Sequence, residues 1–216
     1  MINNYRSIIF DYDDTLVQTR SIRYKTIKTI TSEVFNHTIS DDEIDFAWGL
    51  PADDFLLRIF GRFSDNLEYL WKIYNHYKQF DQNLPHSGAF DFIKKFNDKF
   101  LLGILTSSSY KVVLKELEEM NLDLNLFFNI QGAEHTNVHK PNPDVFLPIF
   151  QFLSKNGLDK SEILYIGDSP VDFHSSTNFG LNFMGMAHDD RYINFFEEQN
   201  IKFVKGFKDL ENILNN

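Results

Sequence analysis

The 216-residue sequence has no cysteine, no excess of positive charge and no long apolar run. Without cysteine, it can form neither a disulfide framework nor a thiolate zinc site, which fits a reducing compartment. With 21 Lys and Arg against 31 Asp and Glu, its net charge of −10 gives no general attraction to nucleic acid or anionic lipid. Apolar runs fall short of the roughly 18 residues that cross a bilayer, and the polar start is unlike a signal peptide. We expect a cytoplasmic monomer or weak homodimer with a small-molecule substrate and no membrane or nucleic-acid partner.

The composition is that of a soluble globular protein, with 43% hydrophobic and 24% charged residues. The length suits one domain, or a core domain that carries a smaller inserted one. Four short apolar runs end at polar residues, as buried strands of a parallel sheet do, and a weaker fifth run follows them. The runs are Ser7–Phe10, Lys99–Leu105, Leu126–Ile130, Glu162–Gly167 and Asn182–Met186.

Helical segments separate these runs. Apolar residues recur at helical spacing from Val112 to Met120 and from Val145 to Leu153. The alternation of strands and helices predicts an α/β fold with a doubly wound parallel sheet.

One long segment, from Thr19 to about Pro85, interrupts this alternation because it has helical spacing but no convincing strand. Within it, Ser40 and Glu43 form the pattern of a capping box at the start of a helix. We therefore predict a core domain of residues 1–17 and 86–216, with a helical domain inserted at residues 18–85.

The polar residues that end the strands predict the chemistry, because an open α/β sheet binds ligands at the carboxyl ends of its strands. Close carboxylates repel one another unless a cation lies among them, and oxygen-only ligands favour a hard divalent ion such as Mg²⁺. A hydroxyl, backbone N–H groups and a lysine would form an anion site beside it, which indicates phosphoryl transfer through an aspartyl-phosphate. The residues are Asp11, Asp13, Asp14, Thr15, Thr106, Ser107, Lys140, Asp168 and Asp172.

Four segments between Asp11 and Gly180 resemble, in order, the motifs of the haloacid dehalogenase superfamily. They are Asp11-Tyr12-Asp13-Asp14-Thr15, Leu105-Thr106-Ser107, Lys140-Pro141-x-Pro143 and Gly167-Asp168-Ser169-x-x-Asp172. The helical insert lies where this family carries its type 1 cap. The resemblance points to the branch of the phosphoglycolate phosphatases and β-phosphoglucomutases, and it implies a Mg²⁺-dependent phosphatase.

The resemblance also implies a role for each matching residue. Asp11 would attack phosphorus, while Asp13 would protonate the leaving oxygen and then take a proton from water. Lys140 would neutralise both Asp11 and the transition state, and Thr106 and the Ser107 N–H would bind phosphate oxygens.

The implied metal is Mg²⁺, held by Asp11, Asp168 and the backbone carbonyl of Asp13. Asp172 would hold a metal-bound water or orient Lys140. In the cap, Gly49 and Arg58 are the expected substrate contacts.

Some positions depart from the resembled pattern or allow a second role. Asp14 stands where the family usually has Gly; if the backbone there needs a positive φ, Asp tolerates it better than most residues. Thr106 to Ser109 also suit the N-terminus of the following helix, a role compatible with anion binding.

Other interpretations stay open. A β-phosphoglucomutase-like mutase would return the phosphoryl group to its substrate, although Thr15, where mutases usually have Val, favours hydrolysis. A phospho-acceptor switch like a response-regulator receiver is another alternative, although receivers carry no helical insert after the acid pair. A metal-binding relative without turnover would be expected to lose Asp11 or Asp13, and both are present. Lys140 and Arg58, taken singly, are typical of solvated surface residues. His135 and His139 lie four residues apart, but no third zinc ligand accompanies them.

Overall fold

The computed structural model describes residues 5–48, 50 and 52–215. The chain forms two compact units. The α/β unit comprises Met1–Gln18 and Leu84–Asn216, and the helical unit comprises Thr19–Asn83. None of the helices in the described part of the chain has the length and apolarity needed to cross a bilayer.

The α/β unit is built on a six-stranded sheet with the order β3-β2-β1-β4-β5-β6, in which every neighbouring pair is parallel. This confirms the predicted doubly wound fold. The strands are β1 (Ser7–Phe10), β2 (Leu101–Leu105), β3 (Asn129–Gln131), β4 (Ile163–Gly167), β5 (Asn182–Met186) and β6 (Phe203–Val204). β1 lies between β2 and β4, so the direction of winding reverses beside it.

The sheet is covered on both faces, as its continuous apolar strands require. Ile8 and Phe10 of β1 pack into one hydrophobic cluster, whereas Ile9 packs into another. In β4, Ile166 and Tyr165 divide between the same two clusters. This alternation follows the two-residue period of a strand.

The helices occupy the connections between strands and the helical unit. In chain order they are α1 (Thr19–Glu33), α2 (Asp41–Asp45), α3 (Ala52–Phe60), α4 (Leu67–Lys78), α5 (Ala89–Phe96), α6 (Tyr110–Glu119), α7 (Leu147–Lys155), α8 (Pro170–Phe179), α9 (Ile193–Glu198) and α10 (Phe207–Asn215). A 3₁₀ turn, Pro143–Phe146, leads directly into α7.

The helical unit has its own hydrophobic core, in which Ile30 of α1, Phe60 of α3 and Leu70 of α4 are buried. The capping box predicted at Ser40 and Glu43 is present at the start of α2, with each side chain bonded to the other residue's backbone N–H.

The chain leaves and re-enters the α/β unit at adjacent positions. Val17 pairs with Pro85 in an antiparallel bridge, and the N–H of Gln18 donates to the carbonyl of Leu84 at 2.8 Å. The residues on both sides of the insert therefore belong to the α/β unit.

Candidate active site

The candidate site lies at the carboxyl ends of β1 and β4. Asp11 follows β1 directly and is only 5% exposed. Its N–H donates to the carbonyl of Ile166 at 2.8 Å, so the neighbouring strand fixes its backbone. The carboxylate of Asp11 is consequently held at the point where the winding of the sheet reverses.

Lys140 joins the loops that follow β1 and β4. Its Nζ lies 2.6 Å from Oδ1 of Asp11 and 2.7 Å from Oδ1 of Asp172, and its side chain is 7% exposed. Nζ also lies 3.1 Å from the hydroxyl of Tyr165. This buried, doubly paired ammonium is unlike a solvated surface lysine.

The charges of this cluster do not balance. Burial lowers the pKa of Lys140, but the carboxylates of Asp11 and Asp172 outweigh that effect and raise the pKa well above its usual range. Burial raises the pKa of Asp11 to about 8 against the opposing effect of Lys140. Burial also raises the pKa of Asp168 well above its usual range, and Asp172 and Asp11 add to that rise. The carboxylates thus exceed the positive charge available to them.

A divalent cation fits this excess. Asp11, Asp168 and Asp172 each offer a carboxylate oxygen, and these atoms lie within 4.8 Å of one another. An oxygen-only set of this kind favours Mg²⁺ over softer ions. His135 and His139 are not part of this group, which is the candidate metal cluster found among the described residues.

Asp13 is directed toward the loop after β2. Its Oδ2 accepts hydrogen bonds from the hydroxyls of Thr106 at 3.2 Å and Ser108 at 2.7 Å. The N–H of Ser108 donates to the Thr106 hydroxyl at 2.9 Å, a bond within the loop that fixes its conformation. Asp13 is not one of the three carboxylates of the candidate metal cluster.

Glu134 holds the start of the helix that follows this loop. Its carboxylate accepts from the Ser109 hydroxyl at 2.5 Å and from the N–H of Tyr110 at 2.8 Å. These bonds lower the pKa of Glu134 to about 2. A protein carboxylate therefore occupies the N-terminus of α6.

A close backbone approach places Asp172. A Cβ added at Gly167 would lie 2.5 Å from Cγ of Asp172, so the strand end must be glycine. Ser169 and Asp172 form a capping box at the start of α8, and the Ser169 hydroxyl donates to Oδ2 of Asp172 at 2.5 Å. Gly167 and Ser169 together direct this carboxylate toward Lys140.

The backbone at Asp14 has the positive φ considered from the sequence, 55°. Next to it, the carbonyl of Thr15 lies 3.0 Å from Nε2 of His188. His188 stacks on His86 with 3.5 Å between ring centroids. A histidine pair thus packs behind the loop that carries Asp11 and Asp13.

The structure brings most of the predicted site residues to one end of the sheet, in the α/β unit. They are Asp11, Asp13, Thr106, Ser107, Lys140, Asp168 and Asp172. Ser107 follows Thr106 and is exposed. Arg58 lies on α3 of the helical unit, where its guanidinium lies over the ring of Phe46 at 4.9 Å. Gly49 lies outside the described residues.

Three residues that contact the candidate site residues were not predicted from the sequence as part of the site. Ser108 was seen only as part of a hydroxyl-rich loop, and its neighbours offer the same group. Ser169 carried a signal that was missed, since Ser followed three residues later by Asp before a helix is a capping pattern. Tyr165 carried no such signal, because a tyrosine within an apolar strand such as β4 is ordinarily a core residue.

The family model of the haloacid dehalogenase-like hydrolases matches residues 8–186, which include all four motifs. A curated relative, the pyrophosphatase PpaX of Listeria monocytogenes, is 24% identical over 181 residues, covering 82% of this chain and 81% of that protein.

Solved structures share the fold over nearly the whole chain. A predicted phosphoglycolate phosphatase from Haemophilus somnus superposes with a TM-score of 0.79 at 21% identity, covering 99% of both chains. YfnB from Bacillus subtilis, in a magnesium-bound form, gives a TM-score of 0.78 at 22% identity, covering 98% of this chain and 99% of its own.

Proposed function

This chain belongs to the haloacid dehalogenase-like hydrolase family, and on that premise we propose that it is a Mg²⁺-dependent phosphatase that acts on a small phosphorylated metabolite through an aspartyl-phosphate. The observation that carries this proposal is the buried contact of 2.6 Å between the ammonium of Lys140 and the carboxylate of Asp11. A carboxylate held in this way beside an excess of negative charge is arranged to receive a phosphoryl group together with a cation.

In the first step, an oxygen of the Asp11 carboxylate attacks phosphorus. A P–O bond forms on Asp11 while the bond from phosphorus to the ester oxygen breaks. The leaving oxygen keeps that electron pair and takes a proton from Asp13. Lys140 offsets the charge on Asp11 and on the transferring group.

In the second step, water attacks the phosphorus of the aspartyl-phosphate. Asp13 takes the proton from this water, the acyl-phosphate bond breaks, and the electron pair returns to the Asp11 carboxylate. Inorganic phosphate leaves and both residues are restored. The hydroxyls of Thr106 and Ser108 hold Asp13 by hydrogen bonds, and the Ser107 N–H would bind phosphate oxygens.

Asp11, Asp168 and Asp172 would hold Mg²⁺, with the backbone carbonyl of Asp13 completing the protein ligands. When bound, the ion supplies positive charge for the phosphate oxygens and for the carboxylate cluster. The proposed substrate contacts of Gly49 and Arg58 stay a prediction.

Inorganic pyrophosphate is a second candidate substrate, favoured by the similarity to the pyrophosphatase PpaX along 82% of the chain. It carries the same phosphoryl group on a phosphate leaving group, so the same steps apply. A phosphomutase remains the other enzyme candidate, since it differs only in the acceptor of the second step.

The test is the release of inorganic phosphate from p-nitrophenyl phosphate, a panel of phosphorylated metabolites and pyrophosphate. We expect release with Mg²⁺, none with EDTA, and recovery when Mg²⁺ is added back. Activity that persists in EDTA contradicts the proposed metal dependence. Transfer of phosphate between substrate positions without release of free phosphate identifies a mutase.

A further inference from the structure

Tyr165 lies in the middle of β4 and is fully buried. Its hydroxyl lies 3.1 Å from Nζ of Lys140, 3.0 Å from Oδ1 of Asp172 and 3.3 Å from the carbonyl of Leu105. Phe146 packs edge-on against its ring at 4.9 Å between centroids. The packed ring thus delivers one polar atom to the cluster.

The hydrogen-bonding capacity of Lys140 explains why a tyrosine oxygen lies at this position. An ammonium group has three protons to donate, and in a buried site each needs an acceptor. Asp11 and Asp172 accept two of them at 2.6 and 2.7 Å. The Tyr165 oxygen is placed to accept the third, while its own proton can go to Asp172 or to Leu105.

We propose that Tyr165 is a positioning residue that holds the Lys140 ammonium between Asp11 and Asp172. Two carboxylates alone would leave the third proton of the ammonium without an acceptor inside the protein. The Tyr165 hydroxyl supplies that acceptor and so adds a third fixed contact to Nζ. The catalytic part of this inference rests on the proposed function; the positioning part does not.

One consequence concerns how Lys140 acts. With all three protons bonded inside the protein, Lys140 must give up one bond before it can donate to a phosphate oxygen. Its main effect on the reaction is therefore the charge it places on Asp11, and loss of Tyr165 should affect turnover more than substrate binding.

The variant Tyr165→Phe keeps the ring and removes only the hydroxyl. Tyr12→Phe is the matched control, because Tyr12 is also buried in the α/β unit and its hydroxyl donates to Glu116 at 3.0 Å. A thermal unfolding curve for each variant shows that it is folded.

The first measurement is the ¹⁵N NMR signal of the Lys140 ammonium, assigned by its loss in Lys140→Met. Bonded, buried ammonium protons exchange slowly with water. We expect a sharp signal in the wild-type chain and in Tyr12→Phe, and a shifted or exchange-broadened one in Tyr165→Phe. An unchanged signal in Tyr165→Phe overturns the inference whether or not the chain is a phosphatase.

The second measurement is steady-state kinetics with the best phosphate ester of the panel. We expect kcat of Tyr165→Phe to fall about tenfold, the effect of one hydrogen bond to a charged group, with KM changed less than about threefold. Wild-type kcat in this variant overturns the catalytic part. An altered ammonium signal in a chain that releases no phosphate supports the positioning part and refutes the proposed function.

Discussion

Charged side chains are used differently in the two units of this protein. In the α/β unit, the side chains of Lys140, Asp11 and Asp172 are each at most 7% exposed, and Lys140 contacts Asp11 at 2.6 Å and Asp172 at 2.7 Å. In the helical unit, the ion pair of Lys28 with Asp41 lies at the surface, with side chains 46% and 60% exposed. The first group of charges is shielded from water, whereas the second is exposed to water and to screening by salt.

This difference indicates where function resides. An exposed pair contributes about 0–1 kcal/mol and is readily replaced. A buried cluster with excess charge is costly unless it binds something, so its presence points to a ligand. The buried charges of the α/β unit therefore support the proposed location of the active site, whereas an exposed ion pair such as that of Lys28 and Asp41 gives no comparable support.

The largest effect on activity is expected when an aspartate is changed to asparagine in the α/β unit, and the same change in the helical unit serves as the control. Asp11→Asn removes the proposed nucleophile, so we expect kcat for phosphate release to fall by about 10³-fold or more. Asp53→Asn is the control, since Asp53 of the helical unit accepts a hydrogen bond from Trp71 at 2.7 Å, which an amide oxygen can also accept. Comparable losses in the two variants would break the contrast between the units.

A smaller effect is expected from two glycines without room for a side chain. In Gly167→Ala the new methyl group meets the Asp172 carboxylate, so we expect the Mg²⁺ concentration for half-maximal activity to rise about tenfold. In Gly61→Ala the methyl group meets the Leu57 carbonyl oxygen at 2.3 Å. That variant should lose thermal stability while its Mg²⁺ dependence stays as in the wild type; a shifted Mg²⁺ dependence in Gly61→Ala would contradict the assignment.

The smallest effect concerns the histidine pair behind the site. Burial lowers the pKa of His86 to about 3. His188 adds a smaller decrease, and the negative charge of Asp189 opposes both effects. The ordinary value in an unfolded chain is about 6.5, so between these two pH values the unfolded chain binds a proton that the folded chain does not. The titration of His86 therefore has no effect on the free energy of unfolding above about pH 6.5, and it lowers that free energy as the pH falls below this value.

The variant His86→Phe keeps a ring stacked on His188 and removes this titration. We expect its melting temperature to fall less than that of the wild type between pH 6.5 and about pH 4. Parallel curves for the two proteins would show that His86 does not contribute to acid sensitivity.

The sheet could largely be predicted from sequence because its inner strands are buried on both faces. The runs around β1, β2, β4 and β5 were identified for this reason. β6 was missed, since Phe203–Val204 is too short to give a pattern. The third run was placed too early: Asp123 caps a 3₁₀ turn at Leu124–Leu126, and the strand begins only at Asn129.

The candidate site was predictable to the extent that its residues follow strand ends. Asp11, Asp13, Thr106 and Asp168 do so directly, and their placement follows from the parallel sheet. Tyr165 lies within a strand, where a tyrosine is ordinarily an apolar core residue. Its contact with Lys140 depends on the path of a long loop, which local patterns do not encode.

The pairing of Val17 with Pro85 has a consequence for how this protein can change. The exit and return points of the insert are joined by a backbone hydrogen bond between Gln18 and Leu84, as in a hairpin. A short turn or an unrelated domain can therefore bridge them without moving a strand of the sheet. Recombination at these two points would exchange the insert while leaving the strands of the α/β unit, and the residues at their carboxyl ends, in place.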